Sequence, residues 1–209
     1  NVVEANPAME VETAKVPKRL PDCVKMENVE RLFDKAERGD DFEEVRDRLI
    51  MLMLFTTGIR RGELVGLRDR DVSANELKVH GKRNKDRIVP FGPELSEEIA
   101  NYRAIRAAQV GETEMFFVRS NGEAVYPTLV YRLVHKELSE VGGCSRYSPH
   151  VLRHTFASAM LNNGAQLNSV KELLGHESLA ATQVYTHITH RELKSNYEHA
   201  HPRALKKGG

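Results

Sequence analysis

Six side chains of the sequence have types that together could cleave a phosphodiester bond. They are Arg60, Lys82, His150, Arg153, His176 and Tyr185. Two guanidinium groups can hold the non-bridging oxygens of one phosphate by paired hydrogen bonds and stabilise the negative charge of the transition state. A tyrosine hydroxyl, with its usual pKa of about 10, needs a cationic pocket or a base to become a nucleophile. Histidine can supply that base or a hydrogen bond, and a lysine can protonate the departing oxygen. Such a site needs neither a metal ion nor ATP.

Each of these residues also has an ordinary interpretation. Arg60 lies three residues before Glu63, a spacing that equally predicts a simple salt bridge, and its place after an apolar run predicts partial burial. Tyr185 is nine residues beyond His176 in a mostly polar segment, and an isolated tyrosine is usually a packing residue. Neither feature decides the function by itself.

His150 and Arg153 are three residues apart on a helix that is predicted to begin at Ser148-Pro149. The apolar stripe of that helix runs through Leu152 and Phe156. We therefore expect His150 and Arg153 to face away from the main core, where such residues are common surface groups.

A metal site is the main alternative for the histidines. His150 and His154 are separated by four residues, the spacing of two ligands on one helix face. However, the H-E-x-x-H pattern is absent, and Arg153 between them would repel a cation. We expect no metal ion and no other cofactor.

Composition favours a single globular domain. The chain has 209 residues, 40% of them hydrophobic and 29% charged. Cys23 and Cys144 match neither a metal spacing nor a disulfide framework, and no apolar run approaches the roughly 20 residues of a membrane span. We therefore expect a cytoplasmic protein without a membrane partner. Since the chain begins at Asn1 rather than Met, we expect it to be part of a longer protein.

The basic residues are concentrated locally although the net charge is only +1. Dedicated nucleic-acid binders often have a pI above about 9, so bulk attraction does not explain binding here. Five cations lie on one predicted hairpin, where they could follow a phosphate backbone or simply be solvated. These candidate DNA-binding residues are Lys78, Arg83, Lys85 and Arg87, together with Lys82.

The hydrophobic pattern predicts a mainly α fold with a small antiparallel β-hairpin (α+β). Helical periodicity dominates, whereas residues 76–91 alternate as two strands around a polar turn. A second small strand pair is predicted around residues 115–125. A short helix over 168–174 is closed by Gly175, which places His176 directly after its end. Residues 1–21, with three prolines, predict a linker or extended arm, and residues 202–209 a tail.

In these motifs the sequence resembles the tyrosine recombinase (phage integrase) family, and especially the bacterial Xer-type recombinases, over about residues 22–201. "TTGIRRGELVGL" is similar to the first arginine box and "GKRNKDRIVPF" to the β-hairpin box with its lysine. "SPHVLRHTFAS" resembles the H-x-x-R box. "LLGH" and "TQVYTH" supply the second histidine and the nucleophilic tyrosine. Four boxes in order are a specific match.

The resemblance implies the fold of a tyrosine recombinase catalytic domain and a DNA strand-exchange reaction. The family cuts one strand, forms a 3′-phosphotyrosyl link and frees a 5′-hydroxyl. The implied assembly is a homotetramer, or a heterotetramer with a paralogue, on double-stranded DNA. The predicted capped helix over 189–201 then either docks on a neighbouring protomer or packs on its own domain. The family's N-terminal core-binding domain is absent from residues 1–209, so the isolated domain is expected to be monomeric.

The sequence departs from the family pattern in two places. Arg83 replaces the glycine that often follows the hairpin lysine, and "RRG" replaces the small or aliphatic residues more usual after the first arginine. Lys85 is close enough to compete with Lys82 as the general acid. Glu63 is expected to orient Arg60 or a neighbouring cation. Two other functions are also considered: a non-catalytic DNA-binding module with a structural Tyr185, and strand relaxation of the type IB topoisomerase kind. The target site, and a role in chromosome dimer resolution or in mobile-element integration, stay undecided.

Overall fold

The computed structural model describes residues 24–33, 39, 41–81 and 86–175. Its helices are α1 (Met26–Phe33), α2 (Phe42–Thr57), α3 (Arg61–Val65), α4 (Pro93–Val110), α5 (Pro127–Val141), α6 (Pro149–Asn162) and α7 (Leu167–Leu174), and its strands are β1 (Glu76–His80) and β2 (Asp86–Pro90). This architecture confirms the predicted fold class, a mainly helical chain with one small antiparallel sheet. The proposed linker (1–21), tail (202–209) and capped helix (189–201) lie outside the described residues.

Helix α2 forms the centre of the core. Its sequence is apolar around most of its circumference, which is typical of a helix buried on all sides. Asp41 caps its start by accepting a hydrogen bond from the Glu43 backbone at 3.0 Å. Helices α4, α5 and α6 pack around it. Most side chains of α2 are therefore buried among these three helices.

Gly58 ends α2 in the left-handed conformation, with φ of 61°. A Cβ atom there would lie 2.5 Å from Cδ1 of Phe156 and 2.9 Å from Cδ2 of Leu174. Only glycine fits both the backbone conformation and the contact. The end of α2 is consequently held directly against α6 and α7.

The two strands of the hairpin pair in the register that the alternation of apolar and polar residues predicts. Val79 pairs with Arg87 and Leu77 with Val89, and all three of these apolar side chains are buried. Helix α7 packs against β2. The second strand pair predicted around residues 115–125 is reduced to one isolated antiparallel bridge, Val118 with Ala124, around a tight turn, and Met115 bridges to Arg68 instead. That segment is too short for a ladder of its own.

Within the described ranges, no helix is long and apolar enough to cross a lipid bilayer.

Candidate active site

Three arginines from distant parts of the chain meet at the carbonyl end of α7. The last carbonyl groups of a helix have no intrahelical donor, and they carry the negative end of the helix dipole. The carbonyl oxygens of Leu173, Leu174 and Gly175 accept hydrogen bonds from Arg87, Arg153 and Arg60 at 2.7, 2.5 and 3.0 Å, respectively. Each of three successive carbonyls is thus held by a different arginine.

Arg60 lies between α2 and α3 as the N-cap residue of α3. Its Nη1 donates to Oε1 of Glu63 at 2.8 Å, and its backbone N–H donates to Oε2 at 2.7 Å. The side chain is nevertheless 40% exposed. One edge of the guanidinium is therefore fixed by the protein while the group still reaches solvent.

Arg153 lies on α6 and is buried, with 7% of its surface exposed. The expectation that it faces away from the core is wrong. Its Nη1 donates to the carbonyl of Gly58 at 2.6 Å, so its guanidinium fills the space between the carbonyl ends of α2 and α7. Two helix ends supply acceptors and negative dipoles there, which compensates the burial of a charge. His150, one turn earlier, is exposed as expected.

The charge of Arg153 persists in this environment. Burial above all, together with the neighbouring charges of Arg60 and Arg87, lowers the pKa of Arg153 to about 10 against the opposing effect of Glu63. A group with this pKa stays protonated at neutral pH. Arg60, Arg87 and Arg153 therefore form one electrostatically coupled cluster.

Glu63 is the carboxylate at the centre of this cluster, and its side chain is only 9% exposed. Arg87 approaches it as a fork, with Nη1 2.9 Å from Oε1 and Nη2 2.8 Å from Oε2. Burial by itself raises the pKa of Glu63, but the hydrogen bonds from Arg87 and from the Arg60 backbone outweigh it and lower the pKa to about 2. Glu63 is therefore ionised throughout the physiological range.

Sequence reasoning missed the position of Arg87. It placed Arg87 with the candidate DNA-binding cations, whereas the structure turns its side chain inward, 11% exposed, onto Glu63 and α7. The signal was present in the alternation of β2. Since Val89 is buried and successive side chains of a strand alternate, Arg87 shares its inner face.

The other cations of the hairpin differ in their surroundings. Lys78 is half-exposed and forms an ion pair with Asp86 at 3.3 Å. His80 lies between two carboxylates, 2.9 Å from Asp86 and 3.2 Å from Asp71, and their hydrogen bonds raise its pKa. These contacts hold the turn end of the hairpin, next to the segment that contains the candidate lysine.

Several predicted site residues lie outside the described residues. They are Lys82, Arg83, Lys85, His176 and Tyr185. The structure does describe both neighbours of the hairpin turn that contains Lys82, and it describes Gly175, which directly precedes His176. Of the six candidate catalytic residues, it places Arg60 and Arg153 together and His150 one turn from Arg153 on α6.

A comparison with protein families gives a match over most of the sequence. The model of the phage integrase family matches residues 23–192. This chain belongs to the phage integrase family. The match includes all four sequence boxes, and it confirms the resemblance to this family.

Individual relatives narrow this assignment within the phage integrase family. Tyrosine recombinase XerC of Chlorobaculum tepidum is 39% identical over 97% of this chain and 67% of its own length. The crystal structure of the XerA recombinase, 29% identical, superposes with a TM-score of 0.69 over 90% of this chain and 68% of that one. The XerH recombinase bound to its difH substrate is 26% identical and superposes with a TM-score of 0.66 over 80% of this chain and 51% of its own. The chain is a tyrosine recombinase similar to XerC, which confirms the predicted enzyme class.

Proposed function

We propose that the chain provides the catalytic domain of a site-specific recombinase that cuts and rejoins DNA strands through a covalent 3′-phosphotyrosyl link. The observation that supports this most strongly is the meeting of Arg60 and Arg153 at adjacent carbonyls, those of Gly175 and Leu174. Two guanidinium groups positioned in this way suit the binding of one phosphate. The candidate His176 directly follows Gly175 in the sequence. The catalytic domain is assigned to residues 22–201.

In the proposed reaction the hydroxyl oxygen of Tyr185 attacks the scissile phosphorus. A new phosphorus–oxygen bond forms, and the bond from phosphorus to the 5′-oxygen breaks. His150 and His176 act as the base for the tyrosine proton or as hydrogen-bond donors to the phosphate, and Lys82 gives a proton to the leaving 5′-oxygen. A 5′-hydroxyl of the partner strand then reverses the same step, so the bond energy is conserved without ATP or a metal ion.

The two arginines have a defined task in this reaction. Negative charge builds up on the non-bridging oxygens as the phosphorus becomes five-coordinate, and preorganised cations stabilise it most where water is excluded. Arg153 meets that requirement because it is buried, protonated at neutral pH and held at two atoms. Arg60 supplies the second cation from the rim of the site.

The proposed substrate is a double-stranded DNA recombination site in the cytoplasm, without a membrane partner. XerH, a relative of known structure, is bound to its difH site. Exchange of both strands between two duplexes requires four cleavages, and a chain with one nucleophilic tyrosine supplies one. We therefore propose four protomers on DNA, with the segment 189–201 docking on a neighbour, and a monomer for the isolated domain.

The proposal is tested by covalent capture. The full-length protein is incubated with a pool of nicked duplexes of random sequence, in which cleavage releases a short fragment and traps the intermediate. We expect an adduct that survives denaturant and can be sequenced. Tyr185→Phe should abolish the adduct and leave DNA binding largely unchanged, because only the nucleophilic oxygen is lost.

The matched control is Tyr102→Phe. Tyr102 is a core tyrosine whose hydroxyl accepts a hydrogen bond from the Val118 backbone, so its loss should leave the adduct in place. A wild-type protein that binds duplexes of the pool but forms no adduct with any of them would refute the proposed function. In the same assay, a mild Lys82→Ala defect beside a severe Lys85→Ala defect would transfer the general-acid role to Lys85.

A further inference from the structure

Arg87 has a side chain whose described hydrogen bonds all go to the protein. It lies on the inner face of β2, where it pairs in register with the buried Val79. Its Nε donates to the Leu173 carbonyl, and its two terminal nitrogens donate to the two oxygens of Glu63. All three nitrogens of the Arg87 guanidinium therefore donate to protein acceptors, and the side chain is only 11% exposed, whereas that of Arg60 is 40% exposed.

The partner of Arg87, Glu63, is also the partner of Arg60. Each oxygen of Glu63 accepts one hydrogen bond from Arg87 and one from Arg60, at distances between 2.7 and 2.9 Å. A bidentate arginine–carboxylate pair fixes the plane as well as the position of the carboxylate. The plane of Glu63 in turn determines where the Arg60 guanidinium lies.

The end of α7 depends on Arg87 as well. Gly175 has φ of 62°, and a Cβ atom there would lie 3.1 Å from Nη1 of Arg87, so the glycine permits this close approach. Without Arg87 the Leu173 carbonyl loses its donor at the position where helix ends most need one. The residue after Gly175 is His176, so the same arginine supports the chain that leads to a second candidate catalytic group.

We propose that Arg87 is a positioning residue for strand cleavage, one that aligns Arg60 through the plane of Glu63 and anchors the carbonyl end of α7. The inference rests on the proposed function and extends it to a residue that does not contact DNA. Because the alignment requires a planar fork, a lysine cannot reproduce it, although it keeps the positive charge.

The test compares Arg87→Ala, Arg87→Lys, Glu63→Gln and the double variant Arg87→Ala/Glu63→Gln in the full-length protein. Single-turnover cleavage and affinity are measured on the duplex recovered by covalent capture. Misalignment of a reacting group by about 1 Å can cost about 100-fold in rate, and we expect Arg87→Ala to approach that loss at saturating DNA. The affinity of Arg87→Ala for DNA should stay within about 3-fold of the wild type, because the contacts that bind the uncleaved duplex are retained.

The variants at Glu63 and the lysine substitution separate alignment from other roles. We expect the double variant to cleave no more slowly than the slower single variant, because Arg87 and Glu63 both act by aligning Arg60. Arg87→Lys should stay at least about 10-fold slow. The control is Arg48→Ala, which removes a comparable, partly buried arginine pair with Glu98 between α2 and α4 and should cleave normally.

A readout without catalysis keeps the inference separate from the proposed function. Hydrogen exchange of peptides spanning residues 167–175 should speed up in Arg87→Ala and not in Arg48→Ala. Failure of the wild type to form any adduct would reject the proposed function, and unchanged exchange would reject the anchoring of α7. A wild-type cleavage rate in Arg87→Ala or Arg87→Lys, multiplicative losses in the double variant, or weakened affinity with normal cleavage would each overturn the inference.

Discussion

Glu63 is a single carboxylate that positions two arginines of the site without neutralising the total positive charge of the cluster. Arg60, Arg87 and Arg153 place three positive charges around its one negative charge, so the cluster keeps an excess of two. The carboxylate also accepts the backbone N–H of Arg60 and thereby caps α3. Position and charge at the candidate phosphate site are therefore determined together by this residue.

The lowered pKa of Glu63 predicts a defined pH dependence of stability. The pKa is about 2 in the folded chain and ordinarily 4.5, so its stabilising contribution is fully present above pH 4.5 and is lost as pH falls toward 2. We expect Glu63→Gln to lower the free energy of unfolding at pH 7 by on the order of 3 kcal/mol. Denaturant unfolding at a series of pH values would measure it.

The difference between wild type and Glu63→Gln should narrow progressively below pH 4.5. A difference that stays constant down to the lowest pH at which both proteins fold would contradict the assigned pairing. The comparison is internal, because every other titrating group is common to the two proteins.

At the scale of elements, the site is built from helix ends rather than helix faces. The carbonyl ends of α2 and α7 both point toward Arg153, and the N-terminus of α3 begins at Arg60. Negative helix ends offer acceptors and favourable dipoles to buried arginines. Removing one helix end should therefore disturb the site as well as the core.

Gly58→Ala tests the junction between α2 and α3. The added methyl group would collide with Phe156 and Leu174, and the residue would be held at positive φ. Overpacking typically costs about 1–3 kcal/mol and the left-handed conformation about 1–2 more, so we expect a loss of about 2–5 kcal/mol in unfolding free energy. Thermal and denaturant unfolding measure it.

Gly62→Ala in α3 is the matched control for this change. Apart from its chain neighbours and the backbone of its own helix, no atom lies within 4 Å of a Cβ there, and alanine favours a helix over glycine by up to about 1 kcal/mol. Equal destabilisation by the two substitutions would show that the contact with Phe156 and Leu174 is unimportant.

At the scale of the whole molecule, a net charge of +1 offers little general attraction to DNA. Affinity must arise from one face, and the hairpin cations are the candidates. Arg87 does not add to that face, because its guanidinium is used inside the protein. Lys78, half-exposed on β1, is the described member of the group that stays available, even though it pairs with Asp86.

Salt dependence measures how many phosphate contacts the protein makes. The logarithm of the binding constant falls with the logarithm of salt concentration, by roughly one unit of slope per contact. We expect a steep dependence for the full-length protein, and Lys78→Ala should reduce the slope by about one. Lys136→Ala, which removes another exposed, ion-paired lysine on α5, is the control. A flat response, or equal effects of the two variants, would count against a hairpin that contacts phosphates.

The helices, the hairpin and the residues of the boxes could be predicted from local sequence. Gly58 and Gly175 end helices because only glycine readily takes their backbone conformation, and the alternation in 76–91 specifies the hairpin register. The pairing of Arg60 with Glu63 also followed from a spacing of three residues. These features depend on neighbours in the chain, so they can be read from it.

Which groups share the site, and which contacts hold them, depends on how distant parts of the chain pack together. A single helical stripe placed Arg153 outside the core, but α6 is buried on more than one face because α2 and α7 both pack against it. The hydrogen bonds from Arg87 to Glu63 join β2 to α3. At the end of α7, the Leu173 carbonyl accepts from Arg87 and the Leu174 carbonyl accepts from Arg153 of α6, which connects these elements to α6. Such contacts arise when helix ends with unpaired carbonyls meet in space, and local periodicity carries no record of that meeting.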